Sequence, residues 1–422
     1  MVKSVARDAN GYEAIAEAVA PVAGDCASPR SGVHWLVDGL RDWRLWTLFV
    51  FLQTPGLRAI TKYLPPVLRP LMIIWLLGTL MVYAALLHHR RVREWCESAG
   101  RQRFYLVAII VGLSIFNAFA YPRVDGLKSR MQGSDEDDNL IQTSLRLVKG
   151  ERPVYVHNYL GNAPTQGIAW ALVVAPLTLS GSYFLLTPLA LGALPVVVVA
   201  AGGGEAAATL ATVLPLSSPA FWELLVTGSD LFAIGVLFAA LTVAMFCWRQ
   251  GGPGSTAACV ALAVTGGTSR LVFAYPIAVI GSFMWKRDRA GAAFFVALSL
   301  VIVVVEYFVW WPDPDRTTPI SLIDKGLFML GPGALVVGAA ATLAATAIAV
   351  AHVGDDVGSW MRGAWLGIAA MLGAIAVIDV VHRDFNLSQW QAASYPMVAV
   401  PLLVSFVALE VSRIDDQRSP LA

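Results

Sequence analysis

The chain has 422 residues, 57% of them hydrophobic and 14% charged, with a mean hydropathy of +0.64. That balance excludes an ordinary soluble globule and predicts an integral membrane protein. A formal net charge of +1, with no basic stripe, excludes nucleic acid as a partner, because nothing supplies the attraction to phosphate.

Residues 1–44 are polar, Ala-rich and weakly amphipathic, and read as a cytoplasmic N-terminal tail. Asp8, Glu13 and Glu17 with no apolar core behind them give no signal peptide. Cys26, Cys96, Cys247 and Cys259 form neither a zinc spacing nor a disulfide framework. Residues 45–412 read as a transmembrane domain and 413–422 as a cytoplasmic tail. Leu45 to Leu57 is short and broken by Pro55-Gly56, so it spans with help or lies in the interface. Pro70 to His88 spans, and the basic run His88 to Arg93 puts its end in the cytoplasm. Phe104 to Tyr121 then crosses outward, which makes 121–167 an extracytoplasmic loop.

Lys286-Arg287-Asp288-Arg289 marks another cytoplasmic turn. Working back from Arg413 and Arg418 places Pro312 to Lys325 and Val381 to Tyr395 outside, and the turn with His352, Asp355 and Asp356 inside. Three apolar pieces between Gly167 and Trp248 give the wrong parity. Gly204 to Leu216 is therefore expected to be a half-helix or re-entrant segment, leaving Phe221 to Asp230 outside. The expected fold is an all-α polytopic bundle of about twelve crossings with one large, early outer loop.

That loop holds the most informative stretch, Ser134 to Gly167, the longest polar interval between hydrophobic segments. It contains Asp135, Glu136, Asp137 and Asp138 in succession. Four adjacent carboxylates repel one another, so at least one should bind its proton more tightly unless cations or a metal offset the charge. Ser134 is a good N-cap, with Asp137 three residues on. Leu140, Ile141, Leu145, Leu147 and Val148 recur at near-helical spacing, Arg146 and Lys149 fall in the last turn, and Gly150 suits the position beyond it. Capping explains one acid at a helix start; it does not explain four.

A membrane helix, an acidic motif opening the first large outer loop, an amphipathic helix over Asn139 to Lys149, then Gly150-Glu151-Arg152-Pro153-Val154-Tyr155 resembles the GT-C superfamily of polyprenyl-phosphate-sugar glycosyltransferases. The following Tyr159-Leu160-Gly161-Asn162-Ala163-Pro164 leads onward as in its members, and the Asp-Glu pair of the protein O-mannosyltransferases and lipid A aminoarabinose transferases corresponds to Asp135-Glu136. The resemblance covers about Phe104 to Pro176. Asp137 and Asp138 are additions to its pattern, and no sizeable C-terminal soluble domain follows. It implies a GT-C-like bundle using a polyprenyl-phosphate sugar donor and a lipid-linked or cell-envelope glycan acceptor outside the cell membrane.

The chemistry agrees. Sugar transfer to a hydroxyl with inversion needs one carboxylate to take the acceptor proton. Asp135 is the expected base, with Asp137 or Asp138 in its place as alternatives. Glu136, Tyr155, His157, Tyr159, Arg270 and Lys325 are the expected substrate contacts. Arg270, between apolar segments, suits a phosphate, or else snorkels or pairs with Glu306. Mg²⁺ or Mn²⁺ on Asp135, Glu136, Asp137 and Asp138 is left open. Trp310, Trp311, Trp390 and Tyr395 read as interfacial aromatics. The competing class is a transporter or flippase, which should place charges mid-helix at discontinuous repeats; no internal repeat is visible.

Overall fold

The structure is a computed structural model that describes residues 34–101, 103–130, 135–151, 164–248, 253–310 and 331–418. Those residues are 87% helical, with no strand among them. Six helices are long and apolar enough to cross a membrane: Leu71–His88, Phe104–Lys128, Tyr183–Ala200, Arg289–Tyr307, Pro332–His352 and Val357–His382. Two bent pairs, Glu205–Leu216 with Pro219–Thr227 and Gln391–Val398 with Val400–Arg413, raise the number to eight if each is one span. A helix satisfies its own backbone polar groups, so apolar runs of this length take that form in lipid. The chain is thus built as a multi-pass membrane protein.

Burial sorts the helices into centre and rim. Leu231–Cys247 is central: Leu231, Phe232, Ile234, Phe238 and Leu241 are fully buried. The later helix Val400–Arg418 lies against it and hides Leu402, Leu403 and Val404. Leu71–His88, Phe104–Asp125 and Pro332–His352 instead expose Ile73, Ile74, Val107, Phe119, Val336 and Val337, a surface suited to lipid tails.

Polar contacts gather at the two ends of the bundle. At one, His88 and Arg44 both bind Asp42, Arg287 pairs with Asp355 at 2.6 Å, and Arg413 pairs with Asp356 at 2.8 Å. Glu97, Gly202 to Glu205, Ser412 and Arg413 line a cavity of about 370 Å³ there. The turns assigned to one side by their charge therefore lie at one end. The acidic loop and Arg270 lie at the other.

Several expectations need correction. The helix Ile168–Leu179 does not run through the bundle. Its twelve residues span about 18 Å, well short of a bilayer core. Near its start, Trp170 donates to Asp230 and the Ala171 carbonyl accepts from Ser144; just past its end, Tyr183 donates to the Gly228 carbonyl. It lies along Glu136–Val148 at the acidic end.

Glu205–Leu216 does not end as a half-helix of its own. It starts beside the Glu97 cavity, bends by 78°, and continues as Pro219–Thr227 to Gly228 at the acidic end. Phe221 and Leu225 are buried within the bundle rather than on an outer loop. The bend has local causes. Pro215 removes a helical donor, Pro219 favours a fresh start, and Ser218 caps the Phe221 N–H.

The opened backbone is satisfied partly from outside the pair and partly by its own second helix. Gln53 donates to the Ser217 carbonyl at 3.2 Å and Trp222 to that of Leu216 at 2.7 Å. Tyr83 meets both Gln53 and the Ser217 hydroxyl, and Ser218 donates to the Leu52 carbonyl.

The N-terminal region assigned as a tail also folds in part. His34–Arg41 lies on Leu71–His88, with Gly39 against Ala84. At the other terminus the last helix runs on to Arg418, while its apolar part ends at Arg413, where the tail is expected to begin. Phe104–Asp125, in turn, extends past the expected limit at Tyr121 despite Pro122.

Candidate functional site

The acidic helix Glu136–Val148 sets the site by its amphipathic pattern. Leu140, Asn139, Thr143 and Ser144 are buried, most of them toward Ile168–Leu179, and this turns the first helical turn into the bundle. Gly150 sits beyond the helix with φ +72°, the left-handed conformation expected there. Asp135 is the described residue at the N-cap, and its carboxylate makes no capping bond to the first turn; Ser134, the expected cap, lies outside the described residues.

Asp137 is the acid that the fold encloses: its side chain is 1% exposed. The Tyr121 hydroxyl donates to it at 2.7 Å, and the Lys128 ammonium contacts its two oxygens at 2.9 and 2.8 Å. Lys128 also reaches Asp125 at 2.5 Å and Asp138 at 2.9 Å. The cation comes from the turn Gly126–Arg130 that follows the membrane helix, so it meets the acids within one chain reversal.

Burial pushes the Asp137 carboxyl up to about 6, with Lys128 and Tyr121 opposing and Asp138 adding to the rise. One acid of the run does hold its proton more tightly, as anticipated, but desolvation is the leading cause and repulsion a smaller one. A carboxylate poised near neutrality can both accept and release a proton at working pH.

Gly228 packs closely against the cluster. Its φ is +70°, and an added Cβ would stand 2.6 Å from the Tyr121 ring and 3.1 Å from the Asp137 Cβ. Two residues further, Asp230 turns to the other side, where its carboxylate takes Arg270 Nη1 at 2.9 Å and Trp170 Nε1 at 2.7 Å. Asp230 and Arg270 are both buried. Arg270 therefore pairs with Asp230, not with Glu306 and not by snorkelling. Glu306 accepts the Ala169 N–H at 2.9 Å, at the start of Ile168–Leu179. Tyr307 beside it lies 3.0 Å from the carbonyls of Thr165 and Thr268.

The bundle thus brings Asp135, Asp137, Asp138 and Arg270 to one end, with the turn Gly228 to Asp230 joining the acidic cluster to the arginine pair. Glu136 opens the acidic helix. Tyr155, His157, Tyr159 and Lys325 lie outside the described residues.

For a cation, the suitable oxygens belong to Asp125, Asp137 and Asp138, all within 4.8 Å of one another. This set differs from the four consecutive acids: Asp125 joins from the preceding helix. Lys128 already contacts all three, so an entering ion would compete with it.

Tyr121, Asp125, Lys128, Gly228 and Asp230 were not singled out from sequence. Two signals were present. Asp125 and Lys128 are three residues apart just past a membrane helix, and Asp230 is a lone acid heading the apolar run Leu231–Cys247, complementary to the lone Arg270. Comparison with protein families, with curated proteins and with solved structures finds no match for this chain.

Proposed function

We propose that the chain is a membrane glycosyltransferase of GT-C-like architecture. It would move a sugar from a polyprenyl-phosphate donor to a lipid-linked or cell-envelope acceptor on the extracytoplasmic side of the cell membrane. The observation that carries the reading is Asp137, a buried carboxylate at the end of a membrane bundle, raised to about 6 and held by Tyr121 and Lys128. Asp137 takes the place expected for Asp135 as the general base. It accepts the proton of the acceptor hydroxyl as the oxygen attacks the anomeric carbon and the lipid phosphate leaves. Asp138 and Asp125 keep Lys128 in place, and Arg270, fixed by Asp230, supports the rim near the phosphate. If a divalent ion takes part, Asp125, Asp137 and Asp138 would hold it, and it would neutralise charge on the leaving phosphate.

The contacts at the two ends also support about twelve crossings. Trp43–Gln53, the bent pairs and the shorter apolar helices Leu231–Cys247, Pro253–Ser269 and Leu271–Lys286 then complete the alternation of ends, while Ile168–Leu179 lies flat.

The test is transfer by purified protein in lipid with a polyprenyl-phosphate sugar. Asp137→Asn should lower turnover by about a hundredfold or more, the scale of a lost general base. Full activity in a correctly folded variant would remove Asp137 from the mechanism. A second reading, a transporter or flippase, draws on the 78° break at Ser217-Ser218 and the buried Arg270–Asp230 pair, features of discontinuous helices that line substrate paths. Movement of a lipid-linked sugar across a sealed vesicle, without formation of a glycosidic bond, would favour it.

A further inference from the structure

Outside the acidic cluster, the acidic end of the bundle carries a second charged element of opposite sign. The short helix Gly56–Tyr63 and the turn Leu64 to Pro70 connect the first apolar helix to Leu71–His88. One face is fixed: Gly56 packs on Pro219, Ala59 is buried, and the helix lies against Pro219–Thr227 and Leu387–Gln389. The rest faces outward. Arg58, Lys62 and Arg69 are its charges, and it has no acid of its own. The helix on which it docks supplies one, Glu223, 3.9 Å from Arg58, and Leu387–Gln389 supplies none. Among the described residues positive charge is left in surplus.

Beside these cations stands bare apolar surface. Val67 is 80% exposed, and Tyr63, Leu68 and Leu71 are exposed with it. Lys62 lies 4.9 Å from the Tyr63 ring centroid, and Arg69 leans back to the Thr61 carbonyl, so both heads stay near the apolar ledge. A basic, amphipathic element at the end of a membrane span sits at headgroup depth, with apolar side chains among the acyl tails. Guanidinium and ammonium groups at that depth suit a phosphate.

We propose that Gly56 to Leu71 is a docking ledge for the phosphate headgroup of an anionic membrane phospholipid. Arg58, Lys62 and Arg69 take the phosphodiester, and Val67, Leu68 and Leu71 lie along its acyl chains. The inference stands on charge and exposure alone and does not depend on the transferase reading.

The test uses the full chain in nanodiscs of mixed phosphatidylglycerol and phosphatidylcholine, released for native mass spectrometry. Phosphatidylglycerol should be retained in preference. Lys62→Gln with Arg69→Gln, both at exposed positions, should weaken that preference about tenfold or more at unchanged thermal stability, given the usual contribution of each basic residue at a membrane surface. Lys62→Arg with Arg69→Lys should keep it. Equal retention of both lipids, an undiminished preference in the glutamine variant, or displacement of the lipid by millimolar inorganic phosphate would each overturn the proposal, the last by making free phosphate the ligand.

Discussion

Replacing Lys128 with Met removes the one cation among the described residues that contacts Asp125, Asp137 and Asp138 together, while keeping most of the side-chain volume. The attraction between unit charges about 4 Å apart is about 4 kcal/mol at an effective dielectric constant near 20. Since about 1.4 kcal/mol corresponds to one pH unit, the ceiling on the shift is about three units. Asp125 and Asp138 are 43% and 26% exposed, so water takes up part of the imbalance. A rise of about one to two units is expected, moving Asp137 from about 6 toward 7 or 8. The assay is an infrared titration of the protonated carboxyl band in nanodiscs, with Asp137→Asn identifying the band.

Stability should follow with a defined sign. The folded value of Asp137 lies above its ordinary 3.8, so between about 4 and 6 the folded state binds the proton more strongly than the unfolded chain does. Stability from this group therefore rises as pH falls through that window and is lost as pH rises through 6. In Lys128→Met the window reaches to about 7 or 8, and the unfolding temperature should gain more than the wild type on going from pH 8.5 to pH 5. A titration midpoint that stays near 6 or falls would refute the assignment of Lys128 as the counter-ion of Asp137.

Gly228→Ala should destabilise by about 1–3 kcal/mol, because the left-handed backbone strains any Cβ and this one meets the Tyr121 ring; thermal unfolding in lipid checks it. Asp230→Asn leaves the Arg270 guanidinium buried beside a neutral partner and should cost about 3–5 kcal/mol. Adding Arg270→Met should recover much of that loss, and additive losses in the double variant would mean the pair is not coupled. In a cysteine-free background, Arg69→Cys and Asp135→Cys should react with an impermeant thiol reagent from outside the cell, and Asp355→Cys only from inside. The reverse pattern would invert the proposed sidedness.

The multi-pass plan was legible because lipid enforces long apolar runs, and the grouping of Lys286, Asp355 and Arg413 followed from charge alone. The passage from Gly167 to Asp230 was not legible, for a physical reason. Ile168–Leu179 is as apolar as a span, and hydropathy cannot distinguish a helix buried against another helix from one that crosses. Its true length argued against crossing; only the contacts of Trp170 and Tyr183 show that both ends stay together.

The site was half visible. Four consecutive acids marked the place, but helix phase and burial chose among them, and a run of like residues conceals its phase. Asp137 faces inward because Leu140 and Ser144 lie on the same side one and two turns later. Lys128 and Asp230 carry only faint local signals, since each takes its full meaning from a partner on another segment, Asp137 and Arg270.

The break at Ser217-Ser218 has a mechanical consequence. In an oily surrounding, freed carbonyls tolerate no vacancy, and these are filled by Gln53 and Trp222, with Tyr83 bracing Gln53 and the serine hydroxyl. Three segments distant in sequence are thereby latched at one point. Sliding any of them by a single turn would strip the seal, so the three segments are held together at this corner.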